Sequence, residues 1–272
     1  MTAFMKKGTK ETIVAAGIAL AVVGGGFACL FVYSGMFSPF FVIESGSMMH
    51  SDRSSVGIID TGDMVVVRSA DKVGIKTYVD GYNSGYKKFG DYGDVMVYER
   101  HDPAGGNPVI HRAVIWLEWN DGHWSAPSLK DFPDDLWDCN NGMNDFMNLS
   151  GELWIKEYGF NSLNIKINLD AQPHKSGYVT KGDNNDIKLD QPETLGLRGL
   201  PGVTGLISED QVLYVAGFEI PWIGCLKLQF SGKGYDIPPN SIPSLIATVA
   251  VVTVCILAAF LIYRYRHRND EP

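Results

Sequence analysis

Two long stretches of this chain carry no charge, and the sequence between them breaks into short apolar runs separated by polar turns. Thr12 to about Met36 is the first stretch and Ser244 to Tyr263 the second. Each is long enough to cross a hydrocarbon layer as a helix. Lys6, Lys7 and Lys10 precede the first; Arg264, Arg266 and Arg268 follow the second. Basic flanks stay on the cytoplasmic side of a membrane. Both tails are therefore expected in the cytoplasm, with residues 37–243 together on the far side. A cleavable leader is the other reading of the first stretch. It is long for the apolar part of a leader, and Ser34-Gly35-Met36 is a poor cleavage site.

Between the two stretches the apolar runs are short and rich in β-branched residues, which predicts strands. They are Phe40 to Ile43, Met64 to Arg68, Val95 to Glu99, Val109 to Ile115, Glu152 to Ile155, Leu163 to Ile167, Tyr178 to Thr180, Val203 to Ile207, Val212 to Phe218 and Ile220 to Gly224. Gly62-Asp63 and Gly93-Asp94 open two of them as turns. Residues 69–92 read as a loop or irregular hairpin, and Ala104 to Pro108 as a turn. Residues 116–177 read as a long insert whose five tryptophans (116, 119, 124, 137 and 154) form its core rather than a ligand platform. Pro238-Pro239 and Pro243 mark a stiff linker. No long amphipathic helix or internal repeat is visible. The fold class is mainly β, a barrel or packed sheets, in this order: tail 1–11, transmembrane helix 12–36, extracytoplasmic domain 37–243, transmembrane helix 244–263, tail 264–272.

Charge narrows the partners. The chain carries a net −8. The two tails hold six basic and three acidic residues, so the remainder has 17 basic and 28 acidic residues, a net −11. That balance argues against a nucleic-acid partner, which needs a basic face. Cys29 and Cys255 fall in the apolar stretches. Cys139 and Cys225 fall between them, where a disulfide is permitted. No spacing typical of metal ligands occurs, so no metal or cofactor is expected. Asn148-Leu149-Ser150 fits an N-glycosylation acceptor.

The candidate chemistry begins where the first predicted strand ends, at Ser45-Gly46-Ser47-Met48. Such a tripeptide is often only a loop, and a serine there is inert without a base. His111 sits inside a β-forming run, where a lone histidine is commonly structural. Lys181-Gly182-Asp183-Asn184-Asn185-Asp186 is a turn dense in side-chain acceptors, which either stabilise the turn itself or aim a carboxylate at His111. Asp190 is a second such carboxylate.

Taken together, four segments resemble signal peptidase I, in its archaeal and endoplasmic-reticulum branch. They are Ser45-Gly46-Ser47-Met48, Gly93-Asp94-Val95-Met96-Val97-Tyr98, Val109-Ile110-His111-Arg112 and Lys181-Gly182-Asp183-Asn184-Asn185, in the family's order and behind a membrane helix. The resemblance implies a serine endopeptidase that removes signal peptides on the outer face of the membrane. It implies Ser47 as nucleophile, His111 in place of the bacterial lysine base, and Asp183 in the aspartate box. Asp190 is the nearest match to a second family aspartate, one residue further on than usual, with Asp186 behind it. The Ser47 N–H and the Ser45 hydroxyl would form the oxyanion hole. Lys181 is a rival base, but a neutral lysine needs a dry site and this turn is polar. The expected partners are signal-peptide-bearing preproteins, the lipid bilayer and the secretion translocon. Two departures stand out: Met49-His50 replaces the family's acid and proline, and the 116–177 insert is unusually long, suited to a lid, a docking surface or a decoration. The alternative function is an inactive membrane-anchored surface or binding protein on the same scaffold.

Overall fold

The computed structural model describes residues 7–100, 107–139, 144–192 and 199–269. In chain order it contains α1 (Lys7–Ser34), β1 (Phe40–Val42), β2 (Met64–Ser69), α2 (Tyr78–Ser84), β3 (Lys87–Lys88), β4 (Asp91–Tyr92), β5 (Val95–Tyr98), β6 (Val109–Asn120), β7 (His123–Ser125), β8 (Trp137–Cys139), β9 (Glu152–Tyr158), β10 (Leu163–Asn168), β11 (Gly177–Lys181), β12 (Val212–Ile220), α3 (Cys225–Phe230) and α4 (Ser241–Asn269).

The protein is mainly β, with one long apolar helix near each end. The spans Ala16–Ser34 and Ser241–Tyr263 are long and apolar enough to cross a membrane. Most of their apolar side chains are left uncovered by the rest of the protein: Leu20, Phe27, Ile256 and Leu261 are all more than half exposed. Both helices run past the apolar stretches into the basic flanks, α1 from Lys7 and α4 to Asn269. The turn expected at Ala104 to Pro108 and the outermost tail residues lie largely outside the described residues.

Between the helices, one antiparallel sheet runs in the order β1-β2-β12-β5-β6-β11, with β7 folded back on the far end of β6. Among the described residues this path is open, so the architecture is packed sheets and not the closed barrel that was the other expectation. A second sheet, β10-β9-β8, is built wholly from the insert. It is not a separate body. Leu153, Ile155, Ile165, Trp124 and Trp137 share one buried cluster with Val114, Leu117 and Val179 of the main sheet. Trp124 and Trp137 are thus core residues, while Trp116, Trp119 and Trp154 are only partly buried.

The two Gly-Asp entries have a shared cause. Gly93 holds φ at +77°, and a Cβ there would meet the Thr77 carbonyl at 2.5 Å, so only glycine fits. Asp94 then accepts from Lys76 N at 2.9 Å and from the Tyr86 hydroxyl at 2.8 Å. Asp63 likewise accepts from Trp222 N and Asp60 N, each at 2.8 Å. Each turn is therefore cross-braced to a distant segment before its strand begins.

Three sequence expectations are corrected. Where residues 69–92 read as a loop or irregular hairpin, the hairpin is present as β3/β4, but the short helix α2 precedes it. The α2 sequence, Tyr-Val-Asp-Gly-Tyr-Asn-Ser, has weak helix propensity, and its helix depends on a reciprocal Thr77/Asp80 capping box. Val203 to Ile207 is not a strand; it touches β11 through a single bridge, Ile207 to Tyr178. Ile220 to Gly224 is not a strand of its own: Ile220 ends β12, and the next four residues turn because Pro221 removes a ladder donor and Trp222 adopts φ +63°. Among the described residues no disulfide joins Cys29, Cys139, Cys225 or Cys255.

Candidate active site

Ser47 is delivered by a turn tied down on both sides. β1 ends at Val42, and Ile43 then exchanges backbone hydrogen bonds with the Gly62-Asp63 turn. Met48 and Met49 are buried, which anchors the far side of the Ser45-Gly46-Ser47 turn. Asn184 clamps the turn itself: its N–H donates to Ser47 O at 2.8 Å and its Nδ2 to Gly46 O at 3.0 Å.

His111 comes from near the start of β6, paired with Met96 of β5. It is 4% exposed, so its two ring nitrogens need partners. Nε2 lies 3.0 Å from Ser47 Oγ, and Nδ1 lies 2.7 Å from Asp190 Oδ2. An ionised carboxylate only accepts, so Nδ1 carries the proton and Nε2 presents its lone pair to the serine hydroxyl. The Tyr98 hydroxyl donates to the same Asp190 oxygen at 2.8 Å. Asp190 N donates to Thr180 O at 3.0 Å, which fixes the carboxylate's backbone to β11. Burial, and then Asp190, push the Tyr98 hydroxyl well above the ordinary phenol range, so it remains a donor.

Asp183 serves a different network. Successive residues of a strand point to opposite faces, so Arg112 turns away from the His111 side. Its guanidinium grips Asp183 with two bonds, Nε to Oδ1 at 2.9 Å and Nη2 to Oδ2 at 2.6 Å. Nη1 donates to the carbonyls of Lys88, Tyr92 and Gly93 at 3.0–3.1 Å. His50 Nε2 lies 3.0 Å from Asp183 Oδ2. Burial opposes ionisation of Asp183, but Arg112 and His50 outweigh it and hold the carboxyl down at about 2. Arg112 is fully buried; the cost of burying its charge is outweighed by Asp183, and its pKa is raised.

Of the carboxylates named from sequence, then, Asp190 reaches His111, Asp183 binds Arg112 and His50, and Asp186 stands exposed in the turn. Lys181 is buried, and burial lowers its pKa, yet its Nζ donates to the carbonyl of Gly182 at 2.8 Å while Ser47 Oγ is bonded to His111. Ser45 Oγ is 3.4 Å from Ser47 Oγ, and the Ser47 N–H makes no hydrogen bond among the described residues. The Ser47 N–H is thus open to a developing oxyanion, and the Ser45 hydroxyl beside it is bonded to the nucleophile itself. Gly182 lets the two halves approach: a Cβ there would fall 2.7 Å from Ser47 O and 2.8 Å from His111 Nε2.

Beside Ser47 and His111 opens a cleft of about 590 Å³. Phe41, Ile43, Val97 and Ile110 line it, and the unpaired edge of β1 forms one wall. Among the described residues no group of His, Cys, Asp and Glu could hold a metal ion. Sequence reasoning gave no role to Arg112, Tyr98 or Asn184. Arg112 was the most accessible of the three, since an arginine inside an apolar strand demands a buried counter-ion. Comparison with protein-family models, with curated proteins and with solved structures finds no match to this chain.

Proposed function

We propose that the chain is a membrane-bound serine endopeptidase of the signal peptidase I type, which cleaves N-terminal signal peptides from exported preproteins at the outer face of the membrane. One observation carries the reading: the contacts Ser47 Oγ to His111 Nε2 at 3.0 Å and His111 Nδ1 to Asp190 at 2.7 Å form a nucleophile, base and orienting carboxylate in sequence. Ser47 Oγ attacks the scissile carbonyl while its proton passes to His111 Nε2. Asp190 stabilises the resulting imidazolium and Tyr98 holds Asp190. The Ser47 N–H and Ser45 hydroxyl receive the oxyanion. His111 next protonates the leaving amine, then takes a proton from the water that frees the acyl group.

The surroundings support the substrate. Ser47 lies about thirteen residues beyond the end of α1, close to where a membrane-inserted leader would present its cleavage site. The apolar part of the cleft, formed by Phe41, Ile43, Val97 and Ile110, suits small uncharged side chains just before the scissile bond, while Glu44, Arg100 and Lys227 line other parts of it. Basic flanks on both helices support cytoplasmic termini and an extracytoplasmic site, with the bilayer and the secretion translocon as neighbours. The test is cleavage of a preprotein by the full chain in detergent. Ser47→Ala should lower kcat by about 10⁴-fold or more. An intact preprotein with the wild-type chain would leave a membrane-anchored surface or binding protein in its place, and undiminished cleavage by Ser47→Ala would remove Ser47 as the nucleophile.

A further inference from the structure

We infer that the insert between β6 and β11 is a positioning arm of this site, in which Phe160 holds His50 and, through it, the nucleophile turn. The inference rests on the peptidase reading. Phe160 sits in the tight turn that joins β9 to β10, closed by Ser162 N donating to Gly159 O at 3.0 Å. A phenylalanine at a hairpin tip ordinarily faces water. Here its ring lies flat on the His50 imidazole, centroids 3.9 Å apart and planes 11° apart. The tip is itself anchored: Gly159 N donates to the Tyr78 hydroxyl of α2 at 3.2 Å, and Tyr158 packs on the Tyr78 ring at 4.3 Å.

His50 follows Ser47 by three residues and meets Asp183 at 3.0 Å. Asn184, the next residue after Asp183, bonds back to Ser47 O and Gly46 O. The result is a closed circuit in which both ends of the nucleophile turn are tied to one dipeptide, itself fixed by Arg112. The other edge of the imidazole lies against Gly90, with Ile58 next to the same glycine. Without the Phe160 ring, the His50 side of the circuit gains the freedom to swing, and an Oγ displaced by a fraction of an ångström from Nε2 loses rate out of proportion. Phe160 and His50 are positioning residues: neither touches Ser47 Oγ or His111.

The test uses the full chain in detergent with a preprotein, measuring kcat and KM separately. Phe160→Ala should lower kcat about 10-fold with KM changed less than two-fold. Phe160→Tyr, which keeps the stacking ring, should retain most of the wild-type kcat. His50→Ala should lower kcat to a similar degree, and the double variant should be no worse than the poorer single one, because both break the same circuit. An unchanged kcat in Phe160→Ala, a change confined to KM, an equally impaired Phe160→Tyr, or losses that multiply in the double variant would each overturn the inference. Should Phe160→Ala not fold, Phe160→Leu takes its place, keeping apolar bulk without a flat face; wild-type kcat there overturns the inference equally. If the wild-type chain leaves the preprotein intact, the peptidase reading fails; if it cleaves and Phe160→Ala cleaves as fast, only the arm fails.

Discussion

At the scale of the residue, two aspartates seven positions apart do opposite work. Asp190 orients a histidine; Asp183 neutralises a buried arginine. Replacement by asparagine separates the roles. Asp190→Asn keeps the shape but favours the wrong histidine tautomer, because an amide nitrogen can donate to Nδ1. It should lower kcat by about 10³–10⁴-fold with little change in melting temperature. Asp183→Asn leaves the Arg112 guanidinium buried without a counter-charge, which should cost about 3–5 kcal/mol of stability. Measuring kcat and thermal unfolding on both variants tests the assignment. A stable, inactive Asp183→Asn beside an active Asp190→Asn would reverse it. Sequence placed both aspartates as candidates for His111 because Asp183 lies in the Lys-Gly-Asp-Asn-Asn turn and Asp190 follows shortly after it. It could not choose between them, since the choice depends on which face of β6 each meets: His111 and Arg112 are adjacent in the chain and point apart.

At the scale of the element, legibility followed local signals. Runs such as Met64 to Arg68 and Leu163 to Ile167 were legible as strands because β-branched residues cluster there between turn formers. Helix α2 was not legible. Its seven residues include Val, Gly and Asn, and it exists because of the Thr77/Asp80 box and its packing against β4 and β6. The insert was legible as an excursion with an aromatic core. Its bond to the site through Phe160 and His50 was not, because a long-range ring stack leaves no periodicity in sequence. The Gly-Asp entries were legible as turns, and their necessity is testable. Gly93→Ala puts a methyl group 2.5 Å from the Thr77 carbonyl in a left-handed backbone. The α2 N-terminus must shift to accommodate it, so we expect a loss of about 2–4 kcal/mol. Denaturant unfolding of the variant would measure it, and a loss under 1 kcal/mol would mean that the cross-brace is soft.

At the scale of the whole molecule, the two terminal helices were the most legible feature, and the acidic balance of the domain between them sets its response to pH. Asp60, Asp63 and Glu219 gather where the β2 entry turn meets the end of β12. Asp60 N donates to Asp63, Gly57 N donates to Glu219, and one oxygen each of Asp60 and Glu219 is buried without a partner. Burial raises all three, Asp63 from 3.8 to about 6 and Glu219 from 4.5 to about 7. The folded chain therefore binds these protons more tightly than the unfolded chain. Between about pH 4 and pH 7 the native state holds the extra protons, so stability falls as pH rises through that window, and the loss is complete above it. For Asp63 alone the difference is worth on the order of 3 kcal/mol, shared in part with its acidic neighbours. Asp183 acts in the other direction: held at about 2 when folded, it contributes stability that is present above 3.8 and lost as pH falls from there toward 2. The two effects meet near pH 4, where the full chain in detergent should unfold at its highest temperature. A melting temperature that climbs steadily from pH 5 to pH 8 would mean that the Asp60, Asp63 and Glu219 cluster is ionised at little cost, and Asp63→Asn would then fail to flatten the profile that we expect it to flatten.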